Sequence, residues 1–243
     1  MTSRMRIDRL LVERGLFESR AGAQAAIAAG RVTADGVAVT KAAAEVSTSA
    51  VLDAEPAHPY VSRGGVKLAA ALDHFGFNPA GRVCLDVGAS TGGFSEVQLA
   101  RGARCIYAVD VGRGQLHPRL RARPEILSME GTDIRNLPAA RFAEPPEFIT
   151  IDVSFISLRL VLPAVAALAA SPAWLVALIK PQFEAGPMRA RKGVVRDPGV
   201  QAAACAEVQS LLQALGWQVE GIMPSPLMGG DGNREFLVGA RRD

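Results

Sequence analysis

Residues 83–102 read VCLDVGASTGGFSEVQLARG. Residues 83–87 are a short apolar run bounded by turn signals, the pattern of a strand buried on both faces. Gly88, Gly92 and Gly93 follow in a tight turn, and residues 92–101 are predicted as a helix. Glycines between a strand and a helix let the backbone approach a ligand and leave amide N–H groups free at the helix N-terminus. Folds that bind nicotinamide dinucleotides have a similar loop, so the glycines alone do not choose the ligand. Two details favour S-adenosylmethionine. Asp86 stands directly before the turn, where a carboxylate repels a pyrophosphate but suits a sulfonium ligand that also carries an ammonium group. Ala89, Ser90 and Thr91 occupy positions where a dinucleotide loop needs glycine. The expected cofactor set is therefore Asp86, Gly88, Ser90, Thr91, Gly92, Gly93 and Phe94.

Further short, β-rich runs lie at 105–109, 125–129, 148–151 and 174–179, with helical stretches between them, including 157–170 and 200–215. Strands alternating with helices give an α/β domain whose parallel sheet is covered on both faces. Residues 218–222 and 235–238 are expected to complete the sheet as a hairpin. Asp110 ends the second strand, 24 residues past Asp86, where a carboxylate can hold both ribose hydroxyls. Asp133 follows the third strand and can accept from an adenine amino group, although GTDIRNL also reads as a helix cap.

Ligands of open α/β sheets bind beyond the carboxyl ends of the strands. That rule brings Asp152, closing the fourth strand in TIDVSFISL, beside the cofactor together with Lys180, closing the fifth in LIKPQFE. Lys67, on the helix leading into the first strand, and Glu235, opening the last, complete four polar candidates. A lysine emerging from the apolar WLVALI is costly to bury unless it is paired. A structural ion pair with Asp152 is the simple alternative to catalysis, and Glu235 can equally be a surface carboxylate.

The first 59 residues follow another pattern. Ile7, Leu10, Leu11 and Leu16 have helical spacing, and Gly15 marks the stop. Ser19 caps a second helix that Gly30 ends. Residues 31–33 and 37–39 flank Asp35-Gly36, a strong hairpin signal. A unit so small buries little core alone. Arg4, Arg6, Arg9, Arg14, Arg20 and Arg31 can form a phosphate-binding patch. Asp8, Glu13 and Glu18 are interleaved with them, which also suits a solvated helix face. Pro56, Pro59 and Gly64-Gly65 mark a linker, so the expected division is 1–59, linker 60–66 and 67–243. Arg63, the run Arg113, Arg119 and Arg121, and the run Arg189, Arg191 and Lys192 extend the basic candidates.

With 49% hydrophobic and 21% charged residues the composition is that of a globular protein with a sizeable core. Cys84, Cys105 and Cys205 are too scattered for a zinc cluster and odd in number, so reduced thiols, no metal and a cytoplasmic location are expected. Residues 1–14 are polar and basic and do not read as a leader. Residues 158–179 are long and apolar enough to imitate a membrane span. Pro163 and Ser171-Pro172 divide them into a helix, a turn and a strand instead.

Residues 6–36, RIDRLLVERGLFESRAGAQAAIAAGRVTADG, resemble the αL RNA-binding motif of a ribosomal protein, pseudouridine synthases and tyrosyl-tRNA synthetases. The segments VSRGGVKLAAAL, CLDVGASTGGFSEVQL, VDVGRGQLHPRLR, IDVSFISLRLVLP, LIKPQFEAG, GVVRDP and SPLMGGDGNREFLV are similar, in order, to the signatures of the TlyA family. Its members are FtsJ-related ribosomal RNA 2′-O-ribose methyltransferases, often labelled haemolysin A. The resemblance implies a Rossmann-like methyltransferase domain behind the RNA-binding unit. It also implies S-adenosylmethionine as cofactor and a cytidine ribose of ribosomal RNA, within ribosomal subunits, as substrate. A Lys-Asp-Lys-Glu tetrad falls on Lys67, Asp152, Lys180 and Glu235, with Lys180 as general base. Tyr60 departs from the tryptophan some relatives carry. The chain also stops at Asp243 where some relatives continue with another helix, so the range of RNA targets is left open. A membrane-active haemolysin and a non-catalytic RNA-binding assembly factor are the competing expectations.

Overall fold

The computed structural model describes residues 3–185, 193–229 and 232–243. The chain divides into two compact units, Met1–Pro59 and Tyr60–Asp243.

In the first unit β1 (Arg4–Arg6) leads into α1 (Ile7–Glu13), followed by α2 (Arg20–Ala28), β2 (Val32–Ala34), β3 (Val37–Ala38), β4 (Glu45–Ser47) and β5 (Leu52–Ala54). The Ser19 hydroxyl accepts from the Gly22 amide at 3.2 Å and starts α2. Asp35 and Gly36 both have positive φ, 50° and 75°, as the mirror-image turn of a two-residue hairpin requires. β2 pairs with β3 on one side and β5 on the other, while β1 pairs with β4. Ile7, Leu11, Ala26, Ile27 and Val32 form a small core of their own.

One carboxylate organises this unit. Asp8 has no exposed surface, and its oxygens accept from Arg6 at 3.0 Å, Arg20 at 2.8 Å and Gln24 at 2.8 Å. The Arg6 guanidinium beside it holds its carboxyl well below the usual carboxylate range. A depressed carboxyl stabilises the fold above its unfolded pKa, near 4, and that contribution is lost as pH falls below it. Asp8→Asn is accordingly expected to lower the hydrogen-exchange protection of α1 and α2 at pH 7 by about 1–3 kcal/mol. The native chain should lose that margin on acidification, and the variant should show a flatter dependence.

The second unit begins with α3 (Arg63–Phe75). It continues through β6 (Val83–Val87), α4 (Gly93–Ala100), β7 (Cys105–Asp110), α5 (Pro118–Arg121), β8 (Ile126–Glu130), β9 (Phe148–Ile151), α6 (Leu158–Leu168), β10 (Ala173–Ile179), α7 (Pro181–Glu184) and α8 (Pro198–Ala214). The hairpin β11 (Gln218–Pro224) and β12 (Phe236–Arg242) ends it. The sheet order is β11-β12-β10-β9-β6-β7-β8. β10, β9, β6, β7 and β8 run parallel, and β12 lies antiparallel between β10 and β11. This is a Rossmann-like α/β sheet.

Alternation along the strands builds a core on each face. Leu85, Ile149 and Leu175 pack with Leu162 and Val165 of α6 and Val208 of α8. Cys84, Ile106 and Phe148 pack with Leu68 and Leu72 of α3 and Phe94 and Val97 of α4. The chain moves outward from β6 through β7 to β8, then returns to β9 on the other side of β6. The crevice between the ends of β6 and β9 is therefore the topological switch point, where ligands of such sheets bind.

Residues 60–66 do not form the separate linker that Pro56, Pro59 and Gly64-Gly65 suggested. Arg63 to Val66 are the first turn of α3, and Tyr60 and Val61 pack against the core on that face. Gly65 permits this, because a Cβ there would lie 2.4 Å from the Tyr60 ring. Residues 158–179 are α6, a turn and β10, and no helix among the described residues is long and apolar enough to cross a membrane.

Candidate active site

Two cavities open at the switch point. The smaller, about 270 Å³, has walls from the start of α3 (Ser62, Arg63, Gly64, Lys67), the glycine turn (Gly88 to Thr91, Gly93, Phe94) and Asp152, Ser154 and Lys180. The larger, about 730 Å³, runs along the ends of β6 and β7 and includes Val109, Asp110, Gln115, Asp133, Ile134 and Phe155. Gly88, Ser90, Asp152 and Ser154 line both, so the cavities meet there.

The glycine turn is shaped by contact as well as by conformation. Gly88 has φ +81°, and a Cβ on it would come within 2.5 Å of the Asp152 carbonyl oxygen. Gly93 starts α4 so close to α3 that a Cβ would overlap the Ser62 hydroxyl. Two helix N-termini therefore converge on the smaller cavity. Asp110 is fixed by two backbone donors, the amides of Ser90 at 2.8 Å and Gly112 at 2.7 Å. The following turn is held by Glu130, which accepts from the amides of Gly114, Gln115 and Leu116 at 2.8, 2.7 and 2.9 Å. These amides, that of Leu116 foremost, hold the Glu130 carboxyl below its ordinary range.

The four polar candidates form two ion pairs. Lys67 Nζ donates to Glu235 at 2.5 Å, and Lys180 Nζ lies 2.7 Å from Asp152. Lys180 also donates to the Ser154 hydroxyl at 2.8 Å. Lys67, Lys180 and Glu235 are buried, so Glu235 is not the surface carboxylate that the sequence left open. It stands behind Lys67 and is not part of either cavity wall.

Asp86 corrects a sequence expectation. It is wholly buried, lines neither cavity, and accepts from Ser95 at 2.6 Å and Thr150 at 3.0 Å. As the penultimate residue of β6 it alternates towards α4, where burial raises its pKa to about 6. It ties the glycine turn's helix to the sheet. Asp133 caps the short turn at residues 134–136 through the Arg135 amide at 3.0 Å and pairs with the Arg135 guanidinium. It still lines the larger cavity.

Sequence reasoning missed Phe155. Its side chain is 91% exposed at the mouth of the larger cavity, its φ is +63°, and its ring lies 5.2 Å from that of Phe183. A non-glycine residue in that region of backbone space is uncommon, and nothing in the local pattern announces it.

The arginines are spread over both units. Arg6 and Arg20 share Asp8, Arg31 pairs with Glu55, and Arg4 donates to the Glu45 carbonyl at 2.6 Å. In the second unit Arg63 lines the smaller cavity, Arg113 packs over Gly131, Arg119 pairs with Glu96 and Arg121 with Glu130. Arg189, Arg191 and Lys192 lie outside the described residues.

A Rossmann-like sheet with a glycine turn, a carboxylate at the end of its second strand and a lysine-lined cavity at its switch point defines a methyltransferase-type domain. Residues 60–242 match the FtsJ-like methyltransferase family and residues 5–52 the S4 domain. The chain belongs to the FtsJ-like methyltransferase family, in the branch of its TlyA members. It is 44% identical to the 16S/23S rRNA (cytidine-2′-O)-methyltransferase TlyA of Mycobacterium tuberculosis, over 99% of this chain and 91% of that protein. It is also 44% identical to YqxC of Bacillus subtilis, an rRNA methyltransferase candidate, over 98% of this chain and 86% of the relative. The solved structure of a hemolysin candidate from Streptococcus thermophilus superposes with a TM-score of 0.78 at 38% identity, covering 100% of this chain and 90% of that one.

Proposed function

We propose that this protein methylates the 2′-hydroxyl of a cytidine ribose in ribosomal RNA within ribosomal subunits, in the cytoplasm, with S-adenosylmethionine as methyl donor. The observation that carries the reading is the meeting of two cavities beside the buried Lys180. The larger is of a size that encloses a cofactor. Asp110, fixed by two amides, suits a ribose diol, and Asp133 and Ile134 suit an adenine edge and face. Gly88 and Ser90 suit the amino acid end. Bound there, S-adenosylmethionine supplies an electrophilic methyl group and leaves a neutral thioether.

The chain's own residues supply the rest. A ribose hydroxyl is a poor nucleophile at neutral pH and needs a positioned proton acceptor. Lys180, in the wall of the smaller cavity, is placed to take that proton. Asp152 holds the amine and stabilises it once it is charged. Lys67, anchored by Glu235, and Arg63 supply positive charge for the RNA backbone. Phe155 offers an aromatic face on which an unstacked base can lie, since a nucleotide usually has to leave its helix to reach such a pocket. Arg4, Arg6, Arg20 and Arg31 of the first unit, with Arg113, Arg119 and Arg121 of the second, supply phosphate contacts. Arg189, Arg191 and Lys192 are proposed for the same task from sequence alone.

The test is incubation of the purified chain with ribosomal subunits and tritiated S-adenosylmethionine, followed by digestion to nucleosides. Label in 2′-O-methylcytidine is expected. Label in a methylated base, or none, overturns the proposal, and leakage of liposomes at physiological salt would support the haemolysin reading instead.

A further inference from the structure

We infer that Ser154 is a positioning residue for the transfer, orienting the Lys180 amine through its hydroxyl; the inference rests on the reading of Lys180 as the base. A neutral primary amine has two N–H bonds and one lone pair. Lys180 Nζ donates to the Ser154 hydroxyl at 2.8 Å, while Asp152 Oδ1 lies 2.7 Å away as an ion-pair partner with no hydrogen bond formed. Both come from the three residues that follow β9. The bond to Ser154 fixes how the amine is turned about its own Cε–Nζ axis, and with it where the second N–H and the lone pair point. Lys180, Asp152 and Ser154 all line the smaller cavity, so the lone pair opens where the substrate hydroxyl would sit. In the step itself the O–H bond breaks, the N–H bond forms, and the electron pair stays on oxygen for the incoming methyl. The ammonium then has three donors: two face Asp152 and Ser154, and the third is the proton released later to solvent.

The choice of a hydroxyl also has a physical logic. A second carboxylate at this point would stabilise the ammonium further and hinder loss of its proton. A neutral hydroxyl directs the amine without that added charge.

Ser154 is itself held in place. The loop that carries it is fastened at its start by the Asp152–Lys180 pair. At its end Glu184, buried after β10, accepts from the Leu158 amide at 2.9 Å and from the Ser157 hydroxyl. Between these anchors the Phe155 and Phe183 rings meet at 5.2 Å. Loop 152–157 is thus clamped along its length to residues 180–184, and the Ser154 hydroxyl is set relative to Nζ by both strands' ends.

The test compares full-length Ser154→Ala, Ser154→Thr and Lys180→Ala in single-turnover transfer from tritiated S-adenosylmethionine to ribosomal subunits, with cofactor affinity by calorimetry. Ser154→Ala is expected to lower the transfer rate about 10- to 100-fold, the scale of a misdirected reacting group, with cofactor Kd and RNA KM within about two-fold. Ser154→Thr, which keeps the hydroxyl, should recover most of the rate. The inference is overturned by an undiminished rate in Ser154→Ala, by an equal loss in Ser154→Thr, or by a loss confined to KM or cofactor affinity. If Lys180→Ala transfers methyl normally, the base reading itself fails and this inference with it. If Lys180→Ala is inactive while Ser154→Ala is not, only the inference falls.

Discussion

Replacing Lys180 with alanine is expected to reduce methyl transfer by about 10³-fold, within the range a positioned base contributes, while cofactor affinity changes less than about three-fold. The separation follows from geometry. Lys180 lines the smaller cavity and is absent from the walls of the larger one, where Asp110 and Gln115 lie. Loss of the amine leaves Asp152 without its 2.7 Å partner, and the oxygen that faced it is buried, so a stability cost of about 1–3 kcal/mol is expected. Counting tritium in RNA recovered after incubation with excess donor checks the rate, and calorimetric titration checks the affinity. Unimpaired labelling by the variant would remove Lys180 from the mechanism.

Gly88→Ala should act on cofactor binding and stability together. A left-handed φ costs a non-glycine residue roughly 1–3 kcal/mol where the surroundings enforce it. Here they do, because the new methyl would face three backbone atoms of Asp152 and Val153 at 2.5, 2.9 and 3.2 Å. Backbone cannot rotate away as a side chain can. Either the glycine turn or the segment carrying Asp152 must move, and the two cavities meet between them. The expected result is a rise in cofactor Kd of about 100-fold, equivalent to about 2.7 kcal/mol, with unfolding free energy lowered by about 2–4 kcal/mol. Gly76→Ala is the control. Its φ is +68°, but nothing lies within 4 Å of its Cβ position, so it should cost about 1 kcal/mol and leave affinity unchanged. Native-like affinity in Gly88→Ala would detach the turn from the cofactor.

The elements that could be read from sequence are those whose character is local. β6 and β9 are buried at every position, so a short apolar run sufficed. Helices α6 and α8 carry side-chain caps, Ser157 and Asp197, α4 opens directly on the glycine turn, and the closing hairpin follows from two apolar segments in succession. β1, β4 and β5 are three residues each. So short a segment shows no period, and its pairing partner is far away in the chain. The candidate site divides in the same way. Residues at strand ends, such as Asp110, Asp152 and Lys180, could be located by the rule for open sheets. Asp86 could not be placed correctly, since one step of strand alternation separates a ligand-facing carboxylate from one under a helix. The contacts of Glu130, Glu184 and Ser154 link segments whose proximity exists only in the folded chain. In the first turn of α3, Gly64 and Gly65 speak for a flexible linker in sequence, and only the folded chain lays the Tyr60 ring over Gly65.

The bond between Lys67 and Glu235 joins positions 168 residues apart. It sets an order of assembly. A chain halted before β12 would already contain the glycine turn, Asp110 and Lys180, yet Lys67, which the complete fold buries, would lack its counter-ion. Glu235, directly before the last strand, which pairs with β10, therefore supplies the group that holds Lys67 in the cavity wall, and a chain without this end is expected to bind RNA and transfer methyl poorly.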